Sequence, residues 1–384
     1  MVITAKKSSR RADIPLLDLN REHRSLKASL GRSLARIVAN NQFIRGPAYK
    51  EFCRSFANFC QTAHCIGVAN GTDALYLAIK ALGLGPGDEI ITSPLTFIAP
   101  AEAASNAGAT VVFSDVEEQS FCLNPALIEA KISSKTKAVI PVHIFGQPAD
   151  MDPILKLAAS KRLRVIEDAC QAHGARYRGR RAGSLGDLGC FSFYPTKNLG
   201  AMGDAGAVTG NNPDLAGRVA SLADHGSRQK YIHEEPGINS RLDDFQAAVL
   251  LVKLPRLEKN NAKRRQWAAL YGKLLEGAGD IICPEPAPGT EPVFHLYVVR
   301  SARRDALKDF LNARGIGAQV YYPVPLHLQS PYQKLGYHNG DFPVAERLCR
   351  EMLALPMFPD LKEKEVRRVA AAVRSFFDTK AWRG

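Results

Sequence analysis

Short apolar runs alternate with helix-length stretches along the first half of the chain, and that alternation leaves few folds open to it. Strand-like segments at 110–113, 138–142 and 164–166 are separated by helical segments near 124–131 and 151–161. Strand–helix–strand repetition predicts an α/β fold with a mostly parallel sheet and right-handed crossovers. More strands are expected at 65–68, 89–92, 189–193 and 206–209, with helices at 70–82 and 99–107. In an open sheet of this kind ligands gather at the carboxyl ends of the strands, so residues at strand exits are the first candidates for chemistry.

One exit delivers a lysine. In Phe191-Ser192-Phe193-Tyr194-Pro195-Thr196-Lys197-Asn198 an apolar run leads to Lys197, and Pro195, Gly200, Gly203 and Gly206 keep the following backbone irregular. A partly desolvated lysine has a lowered pKa and an amine free to attack a carbonyl. A lone lysine snorkelling out of a strand end is the commoner case, and what tells against it here is the strand upstream. The segment 164–174 reads as a buried strand that ends on Asp168 and then turns through small residues. Alone, Asp168 would be read as a helix cap.

Further upstream, Gly71 and Thr72 open a helix after the 65–68 strand. Free N–H groups and the positive dipole end at such a start suit a phosphate dianion, and an ordinary N-cap is an equal alternative. Asp73 compensates the dipole. Gly83, Gly85 and Gly87 follow a helix and precede a strand, the reverse of a dinucleotide fingerprint, so they mark a helix stop and a turn.

The segments VIEDACQAHGA and FSFYPTKNLG, with ANGTDAL before them and GINSRLDDFQAA after, occur in a fixed order. With them the chain resembles the DegT/StrS family of pyridoxal phosphate-dependent nucleotide-sugar aminotransferases. The likeness runs from IPLLDL at Ile14 through FIRGP to VYYPVPLHLQ and ALPMFP, almost the whole chain. It implies a fold-type I enzyme with a large cofactor domain and a smaller α/β C-terminal domain. Lys197 would hold the cofactor covalently and act as acid and base. Asp168 would keep the pyridine nitrogen protonated, because only the charged ring is a strong electron sink. Phe97 would stack on the ring, with core packing as its alternative, and Gln171 would contact the region of the 3-oxygen. Gly71, Thr72, Ser192 and Asn239 would hold the phosphate, Asn239 reaching across from the neighbouring subunit of a homodimer.

The segment 224–243 resembles the branch of the family that acts on 3-keto sugars more than the branch that acts at C4. The implied reaction is transfer of an amino group from glutamate to a nucleotide-linked 3-keto hexose. A 4-keto sugar, a cyclitol or an unlinked acidic sugar stays open. Tyr231, Tyr321 and His327 are the expected contacts to the sugar, and Arg241 is either an anion contact or half of a structural ion pair. Two departures stand out: Cys53 replaces a usual acid, and Tyr321 stands where histidine is frequent. A dehydratase branch replaces the lysine by histidine, and Lys197 argues against it. A regulatory or DNA-binding protein that kept the fold is the alternative of another class.

A chain of 384 residues with 46% hydrophobic content can bury a large core and divide into two domains, expected at 1–260 and 261–384. The Leu26, Leu30, Leu34 and Ile37 spacing predicts an N-terminal helix over 21–37 packed on the second domain, and a helical region over 241–273 joins the two. A strand at 294–299, a helix at 304–314, a strand at 319–322, the loop 323–329 and two closing helices should follow. No apolar run is long enough for a bilayer, and the basic start at Lys6, Lys7, Arg10 and Arg11 lacks a signal-like apolar stretch after it, so a cytoplasmic protein with a frayed N-terminus is expected. Eight cysteines without C-x-x-C pairs predict reduced, packed thiols and no metal site. The net charge of +13 comes without a nucleic-acid motif and is read first as a solvated surface and second as attraction for a diphosphate substrate.

Overall fold

The computed structural model describes residues 13–378, so the basic start at Lys6 to Arg11 lies outside the described residues. A seven-stranded sheet is built from β1 (His64–Val68), β2 (Glu89–Thr92), β3 (Thr110–Phe113), β4 (Thr136–Ile140), β5 (Arg164–Asp168), β6 (Leu188–Ser192) and β7 (Gly206–Gly210). The spatial order is β1-β7-β6-β5-β4-β2-β3, and β7 alone runs against its neighbours. That reversal has a local cause: the irregular, helix-free loop bearing Lys197 joins β6 to β7 as a wide hairpin.

Helices cover the sheet much as the periodicity predicts, at Gly71–Ala81, Ala99–Asn106 and Met151–Lys161. The stretch near 124–131 is less regular, a short α-turn Pro125–Ile128 followed by a 3-10 turn Glu129–Lys131. Helix Pro47–Cys60 adds an element beyond those expected, with Phe52, Phe56 and Cys60 falling four apart behind a proline at the first turn. It matters to the site. Phe56 meets Phe191 and Phe193 edge-on at 5.0 and 5.1 Å, so this helix supports the strand that carries the lysine.

Two expectations change. The N-terminal helix is broken into Leu19–Arg24 and Lys27–Asn40, and the longer piece packs on helix Asp244–Lys253 through Leu26, Leu30 and Val249. Only the short piece reaches the C-terminal part, where Arg21 pairs with Glu365 at 2.7 Å. The second C-terminal strand is Met352–Leu355, antiparallel to Tyr297–Arg300, while the 319–322 segment makes a single bridge from Gln319 to Ala354. The segment lies as a strap against the cavity, with Gln319, Tyr321 and Tyr322 in its wall.

Helix Leu257–Leu275 links the two cores. Near its start Asn261 bonds Asn198 of the lysine loop, and further on Ala268, Tyr271 and Leu275 enter the core built by the closing helix Glu363–Asp378. All eight cysteines are free thiols, and Cys53, Cys60, Cys122, Cys190 and Cys349 are buried. No helix among the described residues is long and apolar enough to cross a membrane.

The end of β5 is fixed by a buried carboxylate. Glu167 accepts the N–H groups of Gly183, Leu185 and Gly186 at 2.7, 2.6 and 2.8 Å and meets His143 Nε2 at 2.9 Å. Ala149 N–H donates to His143 Nδ1 at 3.1 Å, which leaves the ring hydrogen on Nε2, facing Glu167. Glu167→Ala removes every one of these acceptors at once, and unsatisfied buried donors cost about 1–3 kcal/mol each. Urea unfolding should show a loss of at least about 3 kcal/mol; an unchanged midpoint would mean the loop 183–186 finds other acceptors.

Candidate active site

The carboxyl ends of β1, β2, β5 and β6 open into one cavity of about 1090 Å³, closed on the far side by the 319–322 strap and by His295. Lys197, Asp168, Gly71, Thr72, Phe97, Gln171, Ser192 and Tyr321 all line it. The fold therefore brings together groups that lie more than a hundred residues apart in the sequence.

Lys197 sits in a turn closed by its own N–H donating to Tyr194 O at 2.8 Å, inside a loop whose base is pinned by Phe193 N–H to Ala205 O at 2.7 Å. Burial pushes the amine below the usual lysine range, while the Cys170 thiol and the Asp168 carboxylate pull the other way. Asp168 is buried at the last position of β5. Desolvation raises its pKa, opposed by the Cys170 thiol and N–H (the latter at 3.1 Å), then by Lys197 and His143. A buried carboxylate of this kind gains by receiving a cation.

Gly71 begins its helix against Ser192. A Cβ on Gly71 would stand 2.6 Å from Ser192 Cβ and 3.1 Å from Cys170 Sγ, so glycine is required for the close approach. Asn70 caps the helix by accepting Asp73 N–H at 2.8 Å, and Ala74 N–H bonds Asn70 O; the N–H groups of Gly71 and Thr72 have no acceptor within the helix. Gln171 is held at both ends, its Oε1 accepting Phe145 N–H at 2.7 Å and its Nε2 donating to Tyr322 OH at 3.3 Å. Phe97 is 54% exposed, with its ring 6.3 Å from that of Tyr322.

The remaining candidates lie outside the cavity. Tyr231 is 83% exposed between the short strands Ser227–Gln229 and Ile232–His233. Asn239 is exposed and bridged to Asp224, and Arg241 pairs with Asp224 at 3.5 Å, an acid that Arg45 also holds at 2.8 Å. His327 is a correction: it is wholly buried, 3.1 Å from Glu346 and stacked edge-on against Phe342, so it fastens the fold and faces no substrate. Tyr322 and His295 line the cavity without having been singled out. Nothing local marks His295; its place depends on Asn198, 97 residues earlier.

Among the described residues no group of three or more His, Cys, Asp or Glu side chains is placed to hold a metal ion. The DegT/DnrJ/EryC1/StrS aminotransferase family model matches residues 25–374. The chain belongs to that family. It is 46% identical to the dTDP-3-amino-3,4,6-trideoxy-alpha-D-glucose transaminase of Streptomyces venezuelae, over 94% of this chain and 96% of that one. It is 44% identical to a protein of Geobacillus stearothermophilus called pleiotropic regulatory protein, over 95% of this chain and 99% of that one. Among solved structures, that of S. venezuelae DesV in complex with a ketimine intermediate superposes with a TM-score of 0.93 at 45% identity, covering 95% of this chain and 99% of DesV.

Gly71→Ala tests whether the Gly71 turn takes part in cofactor binding. Overpacking against Ser192 costs about 1–3 kcal/mol, so affinity for pyridoxal phosphate, followed by fluorescence titration, should fall roughly tenfold or more. An unaltered affinity would remove the Gly71 turn from the binding site.

Proposed function

We propose that the protein is a pyridoxal phosphate-dependent aminotransferase that carries an amino group from glutamate to C3 of a nucleotide-linked 3-keto hexose. The observation that carries the reading is the meeting of Lys197, Asp168 and the Gly71 turn in one cavity at the strand ends. These residues fit the cofactor. The missing Cβ of Gly71 lets Ser192 stand against a helix N-terminus whose Gly71 and Thr72 N–H groups have no acceptor within the helix and suit a phosphate. Asp168 would offer a buried negative charge to a protonated ring nitrogen, Gln171, held by Phe145 N–H and Tyr322 OH, would contact the region of the ring's 3-oxygen, and Phe97 would give an aromatic face. Bound pyridoxal phosphate would supply the electron sink that loosens the α C–H bond of the amino donor.

In this reading Lys197 would hold the cofactor through Nζ and, as a free amine, would move the proton at the donor's α-carbon. Its lowered pKa makes the neutral amine available at lower pH than for an exposed lysine. Tyr321 is assigned to the sugar. Amination at C3 is supported by the relative named for a 3-amino sugar and by the resemblance of the 224–243 segment. Asn239 and Tyr231, outside their own cavity, are assigned to the neighbouring copy of a homodimer, and exposed Phe43, Ile44 and Ile232 supply apolar surface for it. A cytoplasmic location beside nucleotide-activated sugars completes the assignment.

A purely regulatory role is favoured by the name of the G. stearothermophilus relative. Retention of the lysine in a formed, acid-containing cavity tells against it, since a regulator has no use for either.

Lys197→Ala should abolish transamination while the protein still takes up pyridoxamine phosphate; turnover at the normal rate would exclude Lys197 from the mechanism. Offered matched 3-keto and 4-keto nucleotide sugars, the glutamate-loaded enzyme should convert the 3-keto compound, and preference for the other would overturn C3 amination alone. Sedimentation should give a dimer, and full activity of a dilute monomer would contradict the composite site.

A further inference from the structure

The strap that closes the cavity is pinned at both ends. At its start Ala318 N–H donates to Asn312 Oδ1 at 3.0 Å, and Gln319 exchanges backbone bonds with Ala354, its O accepting at 2.9 Å and its N–H donating at 3.3 Å. At its far end Leu326 N–H donates to Pro94 O at 2.8 Å. Tyr321 is braced in between by the ring of Tyr322, edge-on at 5.8 Å, whose OH accepts from Gln171 Nε2 at 3.3 Å. The side chains of Gln319 and Tyr321 therefore leave a fixed backbone two residues apart, and both line the cavity.

They meet there. Tyr321 OH donates to Gln319 Oε1 at 3.3 Å, and among the described residues neither side chain makes another hydrogen bond. Burial raises the Tyr321 pKa, so the phenol keeps its hydrogen. With that hydrogen directed to Gln319, the phenol oxygen presents lone pairs and Gln319 Nε2 presents N–H groups. Turning the amide over exchanges the roles and keeps the pattern: Nε2 then donates to the phenol oxygen, the phenol O–H is the free donor and Oε1 the free acceptor. In either arrangement the pair offers a donor beside an acceptor, and neither member carries a charge.

A hydroxyl answers that pattern, because it both gives and accepts a hydrogen. A carboxylate only accepts, and the pair could show it two donors only by breaking its own bond. Tyr321 stands where histidine is frequent in the family. A histidine there titrates near neutral pH and can meet an anion as a cation, which the phenol cannot do. We propose that Gln319 is a specificity-determining residue for the acceptor: together with Tyr321, to which it is bonded, it binds one ring hydroxyl of the keto sugar through one donor and one acceptor. The inference rests on the assignment of this cavity to a keto sugar made above, and adds to it an uncharged, hydroxyl-bearing edge on the side of the sugar that faces the strap.

The test uses the holoenzyme with glutamate and a UDP-linked 3-keto hexose, alongside the 2-deoxy, 4-deoxy and 6-deoxy analogues of that sugar. In the wild type one analogue should be converted with kcat/KM roughly tenfold below that of the parent, since its loss of the hydroxyl leaves the pair without a partner. Gln319→Leu and Tyr321→Phe should each bring that same ratio to within about twofold of unity, by lowering kcat/KM for the parent and not for the analogue. A merely structural role would lower both sugars alike and leave the ratio where it was. An unchanged ratio in Gln319→Leu, or ratios that collapse at different ring positions in the two variants, would overturn the inference. A wild type that converts no 3-keto sugar counts against C3 amination and removes this inference with it, whereas conversion of the parent with no analogue disfavoured overturns only the role of Gln319.

Discussion

Two adjacent carboxylates end β5 and face opposite ways, and the site depends on that opposition. Successive side chains of a strand alternate between its faces. Glu167 turns into the scaffold, where backbone N–H groups and His143 saturate it. Asp168 turns into the cavity with one backbone N–H at 3.1 Å and a raised pKa. The satisfied acid is the stabilising one, and the under-satisfied acid is left with capacity for a ligand cation. Exchange their surroundings and the strand would neither hold its loop nor charge its cavity.

The lysine loop depends on the same logic of fixed backbone around a free side chain. β6 delivers it, the Phe52 and Phe56 rings brace it from helix Pro47–Cys60, and Asn198 ties its far side to helix Leu257–Leu275 through Asn261. The neighbouring Asn198 carries the structural bonds of the loop, and Lys197 faces the cavity. Desolvation lowers its pKa, and at pH values below the ordinary lysine range that shift costs stability which the packing around the loop offsets.

Contacts between the two halves converge on the cavity. Arg264 gathers carbonyls from Phe294, His295 and Met357, and Tyr322 reaches Gln171 across 151 residues. Movement of the C-terminal part is therefore felt at the residues expected around the cofactor ring. The segment bearing Asn239 meets the start of the Gly71 turn through Ser240, whose Oγ accepts Ala69 N–H at 3.0 Å.

Local pattern alone determined the βαβ repetition, the strand exits at Asp168 and Lys197 and the glycine turn at Gly71, because side-chain period, chain-breaking residues and close-approach glycines are encoded within a few positions. The same pattern is equally readable in Pro47–Cys60, in the Phe52–Phe56–Cys60 spacing. Tertiary structure alone decided that the N-terminal helix packs on Asp244–Lys253, that 319–322 is a strap and not a strand, that His327 is buried against Glu346, and that His295 and Tyr322 face the cavity. Each of those outcomes depends on which distant segment arrives alongside. A histidine or tyrosine carries no mark of its future neighbour, and only close packing of the two halves settles whether it becomes a fastening in the core or a group in the site.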